Sequence, residues 1–190
     1  MVIDTEITKI GNGETSETSN AFWTCANLTS VVIPSTVTTI GSHAFYYCTS
    51  LKTILFAGES QLNTVGAWAF SETAITDITI PKNMINWGAG IFYKCKSLGS
   101  VRFEQSSSNY IISEYAFSGT AITSITIQSG VSSIGENAFS SCSQLTNVVF
   151  ENTAGWKAGG VAVDSNALAN ASTAASYLTS TYKTSIWTRS

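Results

Sequence analysis

The sequence predicts a right-handed solenoid in which each turn contributes one short parallel β-strand. Phenylalanines recur every 22 to 25 residues, at Phe22, Phe45, Phe70, Phe92, Phe117 and Phe139. The residues around each phenylalanine recur with it. A fixed period of this length is typical of solenoids, whose turns bury their apolar faces against one another. Together, the interval and the repeated context indicate stacked turns with the phenylalanines pointing into the core.

Each copy ends in a segment that predicts the strand. Its pattern is apolar-x-x-apolar-x-apolar, as in Leu51, Ile54 and Phe56 of the second copy. The last two apolar residues alternate with variable ones, which is the period of a strand with one buried face. Thr, Val and Ile dominate these segments, as expected for strands. Pro34 and Pro81 directly follow two of them, where a missing backbone donor is tolerated.

The other half of each copy predicts an irregular or 3₁₀ return segment. In four copies an apolar residue precedes a glycine that we expect to serve a turn, namely Gly41, Gly66, Gly88 and Gly135. The fifth copy has Ser113 at that position. The Ala-Phe pair that follows should form a tight turn that directs the phenylalanine inward.

A longer period of 47 residues overlies the single repeat. Copies two, four and six contain Cys-x-x-Leu and end their strands in phenylalanine, whereas copies three and five contain Thr-Ala-Ile and end in isoleucine. Bulky and less bulky layers should therefore alternate and interlock along the stack.

The extent of the repeat pattern also predicts the domain organisation. We assign residues 1–150 to about six repeats, the first of them interrupted by a loop at 12–20, and residues 151–190 to a small α/β C-terminal cap. Within the cap, 170–182 reads as a helix with one apolar face and Asn170 as its N-cap. A solenoid needs such a cap because its last turn is otherwise uncovered.

The four cysteines occupy one repeat position, three residues after the phenylalanine. Thr73 and Thr120 fill the same position in other copies, so the sequence favours small, buried structural thiols. A Cys25–Cys48 disulfide and a metal site are alternatives left open. The one histidine, His43, is interpreted as a solvated turn residue.

Composition and motifs narrow the function. One histidine and no recognised catalytic motif argue against an enzyme, and we expect no cofactor and no metal. A net charge of −3 with nine basic residues argues against nucleic acid as a partner. No run of 18 apolar residues is present, so membrane insertion is not expected, and the first residues show no signal peptide.

Two surfaces are candidate binding sites. Variable strand positions should form the concave face, and they are mostly small and β-branched: Val32, Thr53, Leu55, Asp77, Thr79, Ser100, Arg102, Ser124, Thr126, Asn147 and Val149. Aromatic residues of the return segments should be exposed in part on the outer side: Trp23, Tyr46, Trp68, Tyr93 and Tyr115. Each set has an alternative explanation without a ligand: the strand residues could simply stabilise the sheet, and the aromatic residues could pack between turns.

The repeated motif resembles the BspA-type leucine-rich repeat over roughly residues 7–150. In full it reads Ile-Gly-x-x-Ala-Phe-x-x-Cys-x-x-Leu-x-x-Ile-x-Phe. The resemblance implies a leucine-rich-repeat solenoid without catalytic residues, on the cell surface of a host-associated bacterium or secreted from it. It also implies a recognition or adhesion module that binds a protein of the host matrix or of a microbial surface. The alternatives are a carbohydrate-binding module that uses the outer aromatics, and a spacer that presents another domain.

Overall fold

The computed structural model describes residues 1–11, 20–105 and 109–190, so most of the predicted loop at 12–20 lies outside the described residues. In chain order the strands are β1 (Lys9–Ile10), β2 (Ser30–Ile33), β3 (Thr39–Ile40), β4 (Thr53–Phe56), β5 (Thr64–Val65), β6 (Asp77–Ile80), β7 (Asn86–Trp87), β8 (Ser100–Phe103), β9 (Tyr110–Ile112), β10 (Ser124–Ile127), β11 (Val131–Ile134), β12 (Asn147–Phe150), β13 (Trp156–Ala158), β14 (Val161–Ala162) and β15 (Trp187–Arg189).

The predicted fold class is confirmed, because the strands stack as parallel rungs of a β-solenoid. The six predicted strands are the even-numbered strands β2 to β12, and they form what we call the first sheet. The structure adds a second strand to each turn. These odd-numbered strands, β1 to β11, form two hydrogen-bonded ladders, β1–β3–β5–β7 and β9–β11, which we together call the second sheet, and they are mostly two residues long. A two-residue strand is too short to show a period of two in the sequence.

The 47-residue period reappears in the pairing of the first sheet. Its hydrogen-bonded ladders are β2–β4, β6–β8 and β10–β12. Within a ladder the strands begin 23 residues apart, as at Ser30 and Thr53, and the next ladder begins 24 residues on, at Asp77. Each ladder sets a terminal isoleucine beside a terminal phenylalanine, for example Ile33 beside Phe56. The predicted alternation of layers is therefore present, with one layer of each kind per ladder.

The phenylalanines stack as the sequence predicts. From Phe22 to Phe139, successive ring centroids are 5.1 to 5.8 Å apart and the ring planes are within 15° of parallel. All are buried except Phe22, which is half-buried at the first turn. Parallel strands set the rungs about 4.8 Å apart, so identical residues in successive turns meet ring to ring.

The cysteine position forms a hydrogen-bonded column inside the core. Thr73 Oγ1 and Cys95 Sγ both donate to the carbonyl of Phe70, at 2.9 and 3.1 Å, and the two side-chain atoms lie 3.3 Å apart. Thr120 and Cys142 repeat this arrangement one double repeat later. In these two pairs a cysteine and a threonine from neighbouring turns share one carbonyl acceptor.

Cys25 departs from the expectation that all four thiols are buried. It is exposed, whereas Cys48, Cys95 and Cys142 are buried, and all four are free thiols. The physical reason is its place in the first repeat: each buried thiol donates to the carbonyl of the phenylalanine one turn earlier, and no phenylalanine precedes Phe22 in the sequence. The Cys48 thiol instead donates to the carbonyl of Phe22, at 3.0 Å.

We expect one thiol to react quickly in the folded protein and three to react slowly. Burial raises the pKa of the Cys48 and Cys95 thiols to about 11 and also raises the pKa of Cys142. At pH 8 a thiol of pKa 11 is only about a thousandth thiolate, the reactive form. Titration with a chromogenic disulfide at pH 8 should show one fast thiol, and four after denaturation in urea without reductant. Fewer than four in urea would indicate a disulfide.

The glycines that follow the second-sheet strands serve close packing. Gly66, Gly88 and Gly135 have no positive φ, contrary to the turn that the sequence suggested. A Cβ atom at these positions would lie 2.2 to 2.3 Å from a backbone nitrogen of the preceding turn. Those nitrogens belong to Ser42, Ala67 and Glu114. Glycine is therefore required because two backbones approach each other closely.

The C-terminal segment covers the last turn. Strand β15 pairs antiparallel with β11 and thereby extends the second sheet, while β13 and β14 pair beyond it. Trp156 and Trp187 are buried, with ring centroids 5.4 and 6.3 Å from that of Phe150. These contacts match a cap over the last phenylalanine layer, although the boundary at residues 150 and 151 stays a prediction.

The predicted cap helix is present and begins at its predicted N-cap. Helix α2 (Ala171–Ser176) starts after Asn170, whose side chain accepts a hydrogen bond from the Thr173 amide at 3.0 Å. A π-helical turn (Tyr177–Thr181) continues it, and a short helix not predicted from the sequence, α1 (Ser165–Ala169), precedes it. None of the helices in the described residues has the length and apolar character that a bilayer crossing requires.

Candidate functional site: the first-sheet face and the aromatic groove

The predicted concave-face residues lie together on the outward side of the first sheet, which we call the first-sheet face. Val32 and Ser100 are half-buried, and the other nine are exposed: Thr53, Leu55, Asp77, Thr79, Arg102, Ser124, Thr126, Asn147 and Val149. The register sets Val32 beside Leu55, Thr79 beside Arg102 and Thr126 beside Val149. The face is therefore a set of short columns that carry few charges.

Two apolar side chains on this face are unusually open. Leu55 is 55% exposed and Val149 is 47% exposed, although the residues that flank them along the strand point into the core. Arg102 stands on β8, between the strands that carry them. Because the side chains of a strand alternate in direction, the buried neighbours hold these three residues at fixed positions on the surface.

The predicted outer aromatics also come together, and they form a groove along the return segments. Trp23, Tyr46, Trp68 and Tyr93 line it with His43 and Asn20, around a volume of about 530 Å³. Trp23 is 48% exposed, and the other three aromatics are half-buried. Tyr115 lies beside the groove, 6.4 Å from Trp68 and 6.2 Å from Tyr93 by ring centroids. We call this the aromatic groove.

The rings of the aromatic groove form two sets. Trp23 and His43 both contact Tyr46 edge to face, with centroids 6.2 and 5.4 Å away. Trp68 contacts Tyr93 edge to face, with centroids 5.2 Å apart and planes at 89°. The walls of the groove are therefore aromatic faces and edges contributed by four successive turns.

Two repeat positions bring these side chains together. Trp23, Tyr46 and Tyr93 directly follow a stacked phenylalanine, whereas His43 and Trp68 precede one by two residues. The return segments are irregular turns, and the position two residues before Phe45 and Phe70 has a positive φ, 57° at His43 and 59° at Trp68. This conformation is costly for residues other than glycine and asparagine, so the surrounding structure must hold it in place.

Gly90 completes the groove at the same repeat position one turn later. A Cβ atom at Gly90 would lie 2.3 Å from the indole ring of Trp68, so the indole rests directly on the glycine backbone. A larger residue at position 90 would displace the indole. Because Gly90 has no side chain, the indole of Trp68 from the previous turn can pack against its backbone.

The lining of the groove is uncharged, and charges lie just outside it. The Tyr46 hydroxyl donates to Glu72 Oε1 at 3.4 Å, and partial burial, aided by the Glu72 charge, raises the pKa of Tyr46. Lys94 Nζ lies 4.9 Å from the centroid of the Tyr93 ring. Hydroxyl, imidazole, indole and amide groups therefore supply the polarity of the groove.

The sequence interpretation missed two residues of this groove. His43 is a turn residue, as predicted, but it is half-buried beside Tyr46, and Asn20 lines the same groove at the end of the predicted loop. The sequence does contain a signal for His43, because His43 occupies the same repeat position as Trp68, two residues before a stacked phenylalanine. Among the described residues, no three His, Cys, Asp or Glu side chains cluster as a metal site would require.

A second groove of about 630 Å³ lies on the outer face of the second sheet, and we call it the second-sheet groove. Its lining includes Ile85, Asn86, Ile111 and Ser132. Ile111 is the central residue of β9, and its side chain is 45% exposed. It therefore provides an exposed apolar residue outside both candidate sites.

Comparison with known proteins decides the family. A profile described as BspA type leucine rich repeat region, in six copies, matches residues 15–146 and 110–182. The chain belongs to the BspA-type leucine-rich repeat family. No curated protein sequence matches this leucine-rich repeat chain.

Solved structures agree with this assignment. The crystal structure of the pneumococcal vaccine antigen PcpA superposes with a TM-score of 0.67 at 25% identity, over 80% of this chain and 40% of PcpA. A leucine-rich cell surface protein of Faecalibacterium prausnitzii superposes with a TM-score of 0.55 at 33% identity, over 84% of this chain and 45% of that protein. This leucine-rich repeat chain thus spans less than half the length of either relative.

Proposed function

We propose that this leucine-rich repeat is a non-catalytic recognition or adhesion module of a cell-surface or secreted protein, and that it binds a protein through its first-sheet face. The observation that supports the proposal is the set of exposed side-chain columns that the three ladders of the first sheet hold side by side. Its likeness to a bacterial leucine-rich cell surface protein supports the location. A protein of the host matrix or of a microbial surface is the partner we propose.

The composition of the face suits a protein partner. The central parts of protein interfaces contain few charged residues apart from arginine, and their rims are polar. Leu55, Val149 and Arg102 supply apolar area and one guanidinium, while serine and threonine surround them. Because the core fixes the strands, binding to this face orders few additional groups and loses little conformational entropy.

Leu55→Asp should weaken protein binding at least about tenfold, which corresponds to about 1.4 kcal/mol. A carboxylate at this position would be desolvated without a partner when the face is covered. Surface plasmon resonance against immobilised collagen, laminin and fibronectin, with a bacterial surface extract as a further ligand, would measure the loss.

Ile111→Asp is the matched control, because it adds the same charge at a similarly exposed apolar residue of the second-sheet groove. It should leave the affinity unchanged. Equal loss in both variants, or binding by the wild type to none of these ligands, would contradict the proposal. The second of these results would favour a spacer that presents another domain.

A further inference from the structure

We propose that the aromatic groove is a carbohydrate-binding site that takes a neutral pyranose unit of a glycan. This goes beyond protein recognition by the first-sheet face, because the groove lies on the return segments and shares no residue with that face. The proposal rests on the size of the groove, the chemistry of its walls, its lack of charge and the way its rings are held.

The size of the groove fits a small ligand. Its volume of about 530 Å³ falls within the range of small-molecule sites, about 300–1,000 Å³. It is open along one side, with Trp23 48% exposed at one end and Tyr93 half-buried at the other. A sugar ring can therefore enter while the rest of a glycan remains in solvent.

The walls have the chemistry that a pyranose ring requires. One face of a pyranose is a patch of C–H bonds that packs on an aromatic ring, and its edge carries hydroxyls that donate and accept hydrogen bonds. The groove offers Trp23, Tyr46, Trp68 and Tyr93 as rings. The indole N–H groups of the two tryptophans are hydrogen-bond donors, and the imidazole of His43 adds a group that can accept as well as donate.

The charge distribution favours a neutral sugar over an acidic or cationic ligand. The lining residues carry no formal charge when His43 is neutral. Two charged residues contact the groove's tyrosines, Glu72 at Tyr46 and Lys94 at Tyr93, and they have opposite signs. An anionic or a cationic ligand would therefore meet one attractive and one repulsive charge, whereas a neutral ligand meets neither.

The rings are held in place before any ligand binds. Trp68 rests on Gly90, and the left-handed backbone at His43 and Trp68 is hydrogen-bonded to the following turn, from His43 N to Ala67 O at 2.9 Å and from Trp68 N to Ala89 O at 2.8 Å. A preformed site loses less conformational entropy on binding than one whose side chains must be ordered. This matters for sugars, because each hydrogen bond that a hydroxyl gains replaces one it already has with water.

A proline-rich peptide is the competing occupant of an aromatic groove. Proline has no N–H group, so a polyproline segment offers only carbonyl acceptors. It would use the indole donors and leave the acceptor capacity of His43 and of the tyrosine hydroxyls unused. A sugar edge presents donors and acceptors together, and it therefore matches the mixed lining better.

The test is an array of neutral gluco-, galacto- and manno-configured oligosaccharides, with sialylated glycans and a decaproline peptide included. Each positive ligand is then titrated by intrinsic tryptophan fluorescence and by saturation-transfer NMR. We expect a neutral glycan to bind, and Trp23→Ala and Trp68→Ala to weaken it at least about tenfold. Trp23→Tyr, which keeps an aromatic face, should retain more affinity than Trp23→Ala.

The control variant is Leu55→Asp, which alters the first-sheet face and should leave glycan affinity unchanged. The two proposals can therefore fail separately. Thermal unfolding of each variant checks that a loss does not result from unfolding, and Trp23, at the exposed end of the groove, is the safer substitution. Binding of no neutral glycan, binding unaffected by both tryptophan substitutions, or binding of decaproline in place of a glycan would overturn the proposal.

Discussion

Phe92→Ala should lower the free energy of unfolding by about 3–5 kcal/mol, as large-to-small substitutions of buried aromatics do. Phe92 is 1% exposed, and its ring stacks between Phe70 and Phe117 at centroid distances of 5.8 and 5.5 Å. Removing it would open a cavity in the middle of the stack and deprive two rings of a contact. Denaturant unfolding followed by circular dichroism would measure the loss.

Phe22→Ala provides a matched control for the position in the stack. Phe22 is half-buried and, among the described residues, stacks on one phenylalanine, Phe45, at 5.1 Å. Its substitution should therefore cost clearly less than that of Phe92, although the side chain removed is the same. A loss below about 1 kcal/mol for Phe92→Ala, or equal losses for both variants, would contradict a stack that carries the core.

The parts of the fold that depend on repetition could be predicted from the sequence. Identical residues at a constant interval must meet in successive turns, so the spacing alone places Phe45 and Phe92 in the core. The alternation of Cys95 with Thr73 likewise indicated one shared buried position. The structure adds the reason, which is that both side chains donate to the Phe70 carbonyl.

The parts that depend on contacts between turns could not be predicted. The second sheet has strands of two residues, such as β5 (Thr64–Val65), and they exist because successive turns hold the same segment in register. The exposure of Cys25 depends on which residues cover the first turn. Neither the short strands nor the exposure of Cys25 can be predicted from the local pattern of a single repeat.

The candidate surfaces show the same division. Alternation along the strands identified the first-sheet face, and the repeat position identified the outer aromatics. That Trp68 lies on Gly90, and that His43 joins Tyr46, depends on side chains of different turns. The aromatic residues were therefore predictable one by one, whereas the groove they form was not.

Gly88→Ala should also destabilise the protein, though less than Phe92→Ala. The free energy of unfolding should fall by about 3 kcal/mol, the upper end of the range typical of overpacking. The added Cβ would lie 2.2 Å from the Ala67 nitrogen and 2.4 Å from the Gly66 carbonyl carbon. Both are backbone atoms, so no change of rotamer can relieve the contact. The two turns would have to separate, which would strain the hydrogen bond from Gly88 N to Val65 O, 2.8 Å in length.

The same substitution should also disturb the aromatic groove, because Ala67 directly precedes Trp68. Gly99→Ala is the control, since its Cβ would lie 4.0 Å from the nearest atom, the Ala121 carbonyl oxygen. Gly99 has no positive φ, so alanine there should be neutral or stabilise the fold by up to about 1 kcal/mol. Denaturant unfolding with tryptophan fluorescence would report stability and the indole environment together. If Gly88→Ala behaved as Gly99→Ala does, the close approach of the two turns at Gly88 would be wrong.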